Sequence, residues 1–128
     1  MLEVLDQRFG VRGNALKWHQ SYLHGRTSSA VADGLTSQSV DLDCSLLQGS
    51  SLGPLKYVLY ASGLHELTGR FGVKMHSFAD DTQLSKHLHV LVEDIDSGKR
   101  DMAAAIAAIS SWSRSYRLKL NAEKSEVI

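Results

Sequence analysis

Two adjacent carboxylates, Asp80 and Asp81, follow a segment in which Val73, Met75 and Ser77 alternate with Lys74, His76 and Phe78. Such period-two alternation marks a strand with one buried and one wet face. Neighbouring like charges are tolerated best where water reaches them. Phe78-Ala79-Asp80-Asp81 is therefore predicted as the tip of a hairpin, with Leu84, Lys86 and Leu88 on the return strand. In a regular strand consecutive side chains point to opposite faces, but a tight turn breaks that rule and lets both carboxylates reach one site. Their repulsion is relieved either by solvent or by a divalent cation held between them. The residues alone leave both readings open.

The rest of the chain supplies helices to cover such a hairpin. Leu2, Val4, Leu5 and Phe9 mark a first helical face, which Gly10 stops. Asn14 is the expected N-cap of a second helix carrying Ala15, Trp18 and Tyr22, closed at Gly25. Ser28 to Val31 and Gln38 to Cys44 read as strands about an Asp33-Gly34 turn, with Val40, Leu42 and Cys44 expected on a buried face. Pro54 opens a helical face through Leu55, Val58, Leu59, Ser62 and Leu67, where proline at the first turn is harmless. Ser50 or Ser51 is the expected cap of that helix. Val90 to Gly98 reads as a connector. Met102, Ile106, Ile109, Ser113 and Tyr116, with Trp112 beside them, form the clearest amphipathic helix, and Leu118 to Leu120 a short extended segment. Both tryptophans are expected in the core. Hairpins joined by short turns with helices alongside imply an antiparallel α+β layer rather than a βαβ repeat.

Three segments carry residues suited to chemistry. The first is Asp80-Asp81. The second is the polar loop Gln48-Gly49-Ser50, whose glycine permits close backbone approach to a ligand. The third is Lys124 in Asn121-Ala122-Glu123-Lys124-Ser125, a cation suited to neutralising a departing anion or giving it a proton. Each is equally an ordinary surface feature when taken alone: a solvated turn, a capped loop, a solvated lysine. His87 and His89 lie two apart, but no cysteine or acidic cluster completes a zinc set, so surface or packing roles are expected for the six histidines. Cys44 reads as a small buried residue.

Composition narrows the partners. The chain has 128 residues, one domain at most, and 14 basic residues balance 14 acidic ones. Strong binders of nucleic acid displace counterions with an excess of Lys and Arg. Neutrality therefore predicts weak or no nucleic-acid binding by this chain alone. A single cysteine excludes an intrachain disulfide and suits an intracellular compartment, nuclear or cytoplasmic. No signal peptide and no membrane span are expected, because no apolar run approaches about 18 residues.

In order and spacing, Gln48-Gly49-Ser50-Ser51-Leu52-Gly53-Pro54, Phe78-Ala79-Asp80-Asp81 and Asn121-Ala122-Glu123-Lys124-Ser125 resemble the palm of a reverse transcriptase of the kind carried by non-LTR retrotransposons. Phe9-Gly10-Val11-Arg12-Gly13, Leu16, Trp18, Ser21-Tyr22-Leu23, Arg26, Trp112 and Leu118-Lys119-Leu120-Asn121 extend the likeness over nearly the whole chain. The resemblance implies RNA-templated DNA synthesis by two-metal nucleotidyl transfer. Asp80 and Asp81 would be catalytic and ligate Mg2+, and Lys124 would stand at the leaving group. Gln48, Gly49, Ser50 and Phe78 would lie at the nucleotide or template. RNA template, DNA primer and deoxynucleotide would be the partners of the complete enzyme.

The departures from the family are specific. Residues 1–128 read as a partial palm domain, without the family's first catalytic-aspartate strand, fingers, thumb or endonuclease. Asp6 is no substitute, since its neighbours match the helix after that strand. Ser45-Leu46-Leu47 replaces a usual glycine-x-proline, and Lys56 stands where an apolar residue is usual. The isolated chain is therefore expected to be inactive and to leave a sheet edge exposed. The alternative is a non-catalytic retroelement remnant or a co-opted interaction module that keeps only palm-like packing.

Overall fold

The computed structural model describes residues 1–43, 49–89 and 92–126. Cys44 to Gln48, Val90, Leu91, Val127 and Ile128 lie outside the described residues, and with them the expectations placed on Cys44 and Gln48. The chain forms two compact units, Met1–Tyr60 and Ala61–Ile128. Both mix helices with small antiparallel ladders, as the α+β reading expects.

In the first unit, α1 (Leu2–Phe9) buries Val4 and Leu5 and packs on α2 (Gly13–Leu23). Glu3 in the first turn and Arg8 in the last complement the helix dipole. Gly10, at φ +66°, ends α1: its N–H donates to the Asp6 carbonyl, and the Val11 N–H donates to that of Leu5. This paired closure needs a left-handed residue, which glycine adopts without a Cβ clash. Asn14 does not cap α2; the helix begins two residues earlier than that cap implies, at Gly13, with Arg12 as N-cap and no side-chain capping bond.

The predicted pair of strands is a nested set of two-residue ladders. β1 (Thr27–Ser28) pairs with β4 (Val40–Asp41), and inside them β2 (Val31–Ala32) pairs with β3 (Leu35–Thr36). Asp33 and Gly34 join β2 to β3, both left-handed at φ +51° and +77°, as a two-residue hairpin of the primed type requires. Between the ladders, the Ala30 N–H donates to the Ser37 hydroxyl and the Ser37 N–H to the Ala30 carbonyl. Val31, Leu35 and Val40 are exposed, so the buried face expected through Val40 is not formed. Ladders of two residues are too short to shield a face.

The helix predicted from Pro54 onward is two helices, α3 (Gly53–Ala61) and α4 (Gly63–Gly69), broken at Ser62. Glycine inside a helix costs about 1 kcal/mol against alanine, which favours a break at Ser62-Gly63. Leu55 and Val58 face solvent, while α3 buries Gly53 and Lys56 and α4 buries Leu64 and Thr68.

The second unit is built round the hairpin of β5 (Lys74–Phe78) and β6 (Asp81–Ser85). Its core joins Leu64 of α4, Met75 of β5 and Ile109 of α5 (Val92–Ser115), with Ala61, Leu67, Leu84 and Trp112 packed around them. Gly98, Ala105, Ile109 and Ser113 form the buried stripe of α5 at helical spacing. The stripe is offset from the predicted Met102–Ile106 face, and Ile106 is exposed. The predicted connector before residue 98 is helical from Val92, helped by Glu93 and Asp94 in the first turn. Gly98 belongs there because Leu88 lies against it: a Cβ would stand 2.4 Å from Leu88 Cδ2. Leu118 to Leu120 form no strand. Trp112 is half-buried at the core as expected, whereas Trp18 is 52% exposed and stacks on Tyr22.

Candidate active site

The hairpin register decides where the two carboxylates go. Lys74 pairs with Ser85, Met75 with Leu84, His76 with Gln83, Ser77 with Thr82, and Phe78 with Asp81. Paired residues share a face and faces alternate. Met75, Ser77, Thr82 and Leu84 therefore share one face, of which Met75 and Leu84 reach the core while Ser77 and Thr82, nearer the tip, are exposed; His76, Phe78, Asp81 and Gln83 share the other. Ala79 and Asp80 form the two-residue loop between the strands. Ala79 is left-handed at φ +52°, a position that favours glycine, while Asp80 is not left-handed. The loop puts Asp80 beside Asp81 at the outer tip, both exposed, next to Phe78 at 74% exposure. Among the described residues neither carboxylate side chain has a hydrogen bond or ion pair, and bulk water keeps their mutual repulsion small.

The chemistry of this donor pair fits magnesium, a hard cation that takes one or two carboxylates and fills its shell with water and phosphate oxygens. It does not fit a closed metal cage. No group of three or more His, Cys, Asp or Glu side chains gathers among the described residues.

Lys124 ends a 3-10 turn, Ala122–Lys124, in the same unit, and is exposed. The turn is held by the Lys124 N–H donating to the Asn121 carbonyl and the Ser125 hydroxyl donating to the same oxygen. Gly49 and Ser50 belong to the first unit. Gly49 is left-handed at φ +81°, with open space where a Cβ would stand. Ser50 enters the following helical turn through its carbonyl, which accepts from the Gly53 N–H, and not through its hydroxyl, which is buried without a partner among the described residues.

Two lysines have environments that sequence reading did not anticipate. Lys86, just after β6, continues the parity of Leu84, which packs on the core. Its ammonium donates to Asp101 Oδ2 at 2.6 Å and to the Phe71 carbonyl at 2.8 Å. Parity with Leu84 was the signal available for it. Lys56 is only 1% exposed. Its Nζ lies 3.3 Å from the centre of the Tyr22 ring and 5.6 Å from that of Trp18, with no hydrogen-bond acceptor among the described residues. Loss of hydration, and then the charge of Arg26, push the Lys56 pKa below its usual value. His19, edge-on to Trp18, is likewise lowered by loss of hydration and then by Lys56.

The chain carries a paired-carboxylate hairpin packed against helices, and comparison with known proteins gives its family. Residues 5–128 match the family described as "Reverse transcriptase (RNA-dependent DNA polymerase)", and the chain belongs to it. Among curated proteins it is similar to the "RNA-directed DNA polymerase from mobile element jockey" of Drosophila melanogaster, at 30% identity over 111 residues. That alignment covers 82% of this chain and 12% of the jockey protein. The retrotransposon-type resemblance read from the motifs therefore holds. No solved structure matches the chain. No helix of the described residues is long and apolar enough to cross a membrane.

Proposed function

We propose that this chain is part of the palm of a non-LTR retrotransposon reverse transcriptase, acting in RNA-templated DNA synthesis. The observation that carries this reading is the register that sets Asp80, in the two-residue loop, beside Asp81, the first residue of β6, at an exposed tip, in a chain of reverse transcriptase family. Magnesium bound there would lower the cost of forming the primer alkoxide and of releasing pyrophosphate. Asp80 would be its principal ligand and Asp81 would support it, their two negative charges favouring a divalent cation there. Phe78, on the same outer face as Asp81, offers an apolar surface to the nucleotide. Lys124 neutralises or protonates the leaving pyrophosphate. Gln48, Gly49 and Ser50 contact template or nucleotide, the glycine permitting close backbone approach. RNA template, DNA primer and deoxynucleotide are the partners of the complete enzyme. On this reading the 128-residue chain alone is inactive, because among the described residues no third His, Cys, Asp or Glu joins the pair.

The test is primer extension on an RNA template with magnesium. The chain alone would be compared with a graft replacing the matching segment of the jockey polymerase. Extension is expected from the graft only, falling by about a thousandfold or more in Asp80→Asn, in line with losing a group that stabilises transition-state charge. A folded graft with no extension would favour the remnant reading, for which buried Lys56 is the specific observation.

A further inference from the structure

We infer that Lys86 is the positioning residue for the carboxylate tip, the ammonium that fixes the base of the hairpin and thereby the place of Asp80 and Asp81. The inference rests on the reading of those carboxylates as metal ligands. Lys86 lies one residue beyond the end of β6, and Phe71 three residues before the start of β5. Its bond to the Phe71 carbonyl therefore closes the open end of the hairpin, opposite the tip. Its bond to Asp101 ties that closed end to the middle of α5. Gly72, left-handed at φ +63°, lies beside the contact; a Cβ there would stand 3.4 Å from Lys86 Nζ, an ordinary contact distance.

Exposed ion pairs contribute little to stability, but this ammonium is not of that kind. The Lys86 side chain is 18% exposed and satisfies two acceptors in separate segments. Neutral truncation would leave a carbonyl and a carboxylate without their donor. The lever arm makes the consequence large at the tip. A five-residue strand spans about 17 Å, so a tilt of about 10° at the base moves the tip by about 3 Å. Misplacement by about 1 Å already costs about a hundredfold in catalysis. Two-stranded sheets have little rigidity of their own, and here Met75 and Leu84 are the hairpin's contributions to the core cluster.

The experiment compares the 128-residue chain with Lys86→Met and Lys86→Arg by amide hydrogen exchange, and by Mn2+-induced broadening of the amide signals of residues 79–81. In Lys86→Met we expect exchange about tenfold faster at residues 74–78 and 81–85, unchanged protection at residues 105–113 of α5, and at least threefold weaker Mn2+ broadening. Arginine, which retains a donor fork, should restore both. Unchanged hairpin exchange in Lys86→Met would overturn the inference. Equal loss of protection in hairpin and α5 would overturn it too, by reducing Lys86 to general stability. Mn2+ broadening present in the parent chain and undiminished in Lys86→Met would sink the positioning role alone. No broadening even in the parent chain would sink the metal reading and the positioning role together.

Discussion

At the scale of single residues, Lys56 carries a cost of burial that can be argued directly. An ammonium over an aromatic ring gains about 0.5–2 kcal/mol, whereas stripping its hydration costs several kcal/mol. Lys56 has the ring contacts of Tyr22 and Trp18 but no hydrogen-bond acceptor among the described residues, so hydration loss dominates. Lys56→Met, which keeps the length and removes the charge, should therefore stabilise the protein by about 1–3 kcal/mol, read as a higher urea midpoint with the same slope. A lower midpoint would mean that the ring contacts outweigh the lost hydration. The titration has a definite sign. Because the folded pKa is lowered from 10.5, the folded chain loses this proton first as pH rises. The penalty is complete below the folded pKa and is relieved between that value and 10.5, so this contribution to stability rises with pH across that window. The parent chain should show the rise relative to Lys56→Met. His19, lowered from 6.5, acts at the other end: its neutral folded form loses stability as pH falls from 6.5 toward its folded pKa. His19→Gln should flatten the acid limb. Lys56 was legible as a departure from the family's apolar residue; its ring contacts depend on which way α2 turns Trp18 and Tyr22, which periodicity does not fix.

At the scale of elements, the hairpin was the most legible part, because strict alternation from Val73 to Phe78 and two consecutive acids leave few registers that bury Met75 and Leu84 together. The cost of its turn was not legible. Ala79 takes the left-handed conformation, which disfavours an L side chain by about 1–2 kcal/mol. Ala79→Gly relieves that strain but adds freedom to the unfolded chain worth about 0.4–1 kcal/mol. The net expectation is a gain of about 0.5–1 kcal/mol, seen as slower exchange at the hydrogen-bonded pair of residues 78 and 81. Faster exchange would show that the left-handed turn is not strained. The helices were less legible at their ends. Gly98 suggested a connector, yet it is an interior helical residue because Leu88 occupies the space a side chain would take. Pro54 and the apolar run after it suggested one long helix, yet Ser62-Gly63 divides it and turns Lys56, not Leu55 or Val58, inward. At Gly98 a contact distant in sequence overrode the local pattern; at Ser62-Gly63 the glycine itself favours the break.

At the scale of the whole molecule, the family was legible from three short motifs in order, while the candidate site was legible only in its parts. Asp80, Asp81 and Phe78 stand together on one turn, because a tight hairpin is a local structure that its own residues determine. Gly49, Ser50 and Lys124 lie on other segments, and motif order does not convey where those segments run. Charge is a whole-molecule property, and it yields a separate prediction. Polymerases hold template and primer largely through phosphate contacts, each releasing counterions, so affinity scales with the excess of Lys and Arg presented. Here 14 basic residues are offset by 14 acidic ones. Two of the acids are exposed at the proposed catalytic tip, where they repel phosphate unless a cation intervenes. The 128-residue chain should therefore bind a labelled RNA–DNA hybrid with a dissociation constant weaker than about 100 µM at physiological salt, outside the usual range for non-specific binders. Adding magnesium should tighten binding measurably, and Asp80→Asn with Asp81→Asn should tighten it without magnesium, because both changes remove repulsion at the same place. Fluorescence anisotropy across a salt series reads both effects. Submicromolar binding by the unmodified chain, with a steep loss on raising salt, would show that its cations are segregated on one face and that net neutrality misrepresents what the nucleic acid meets.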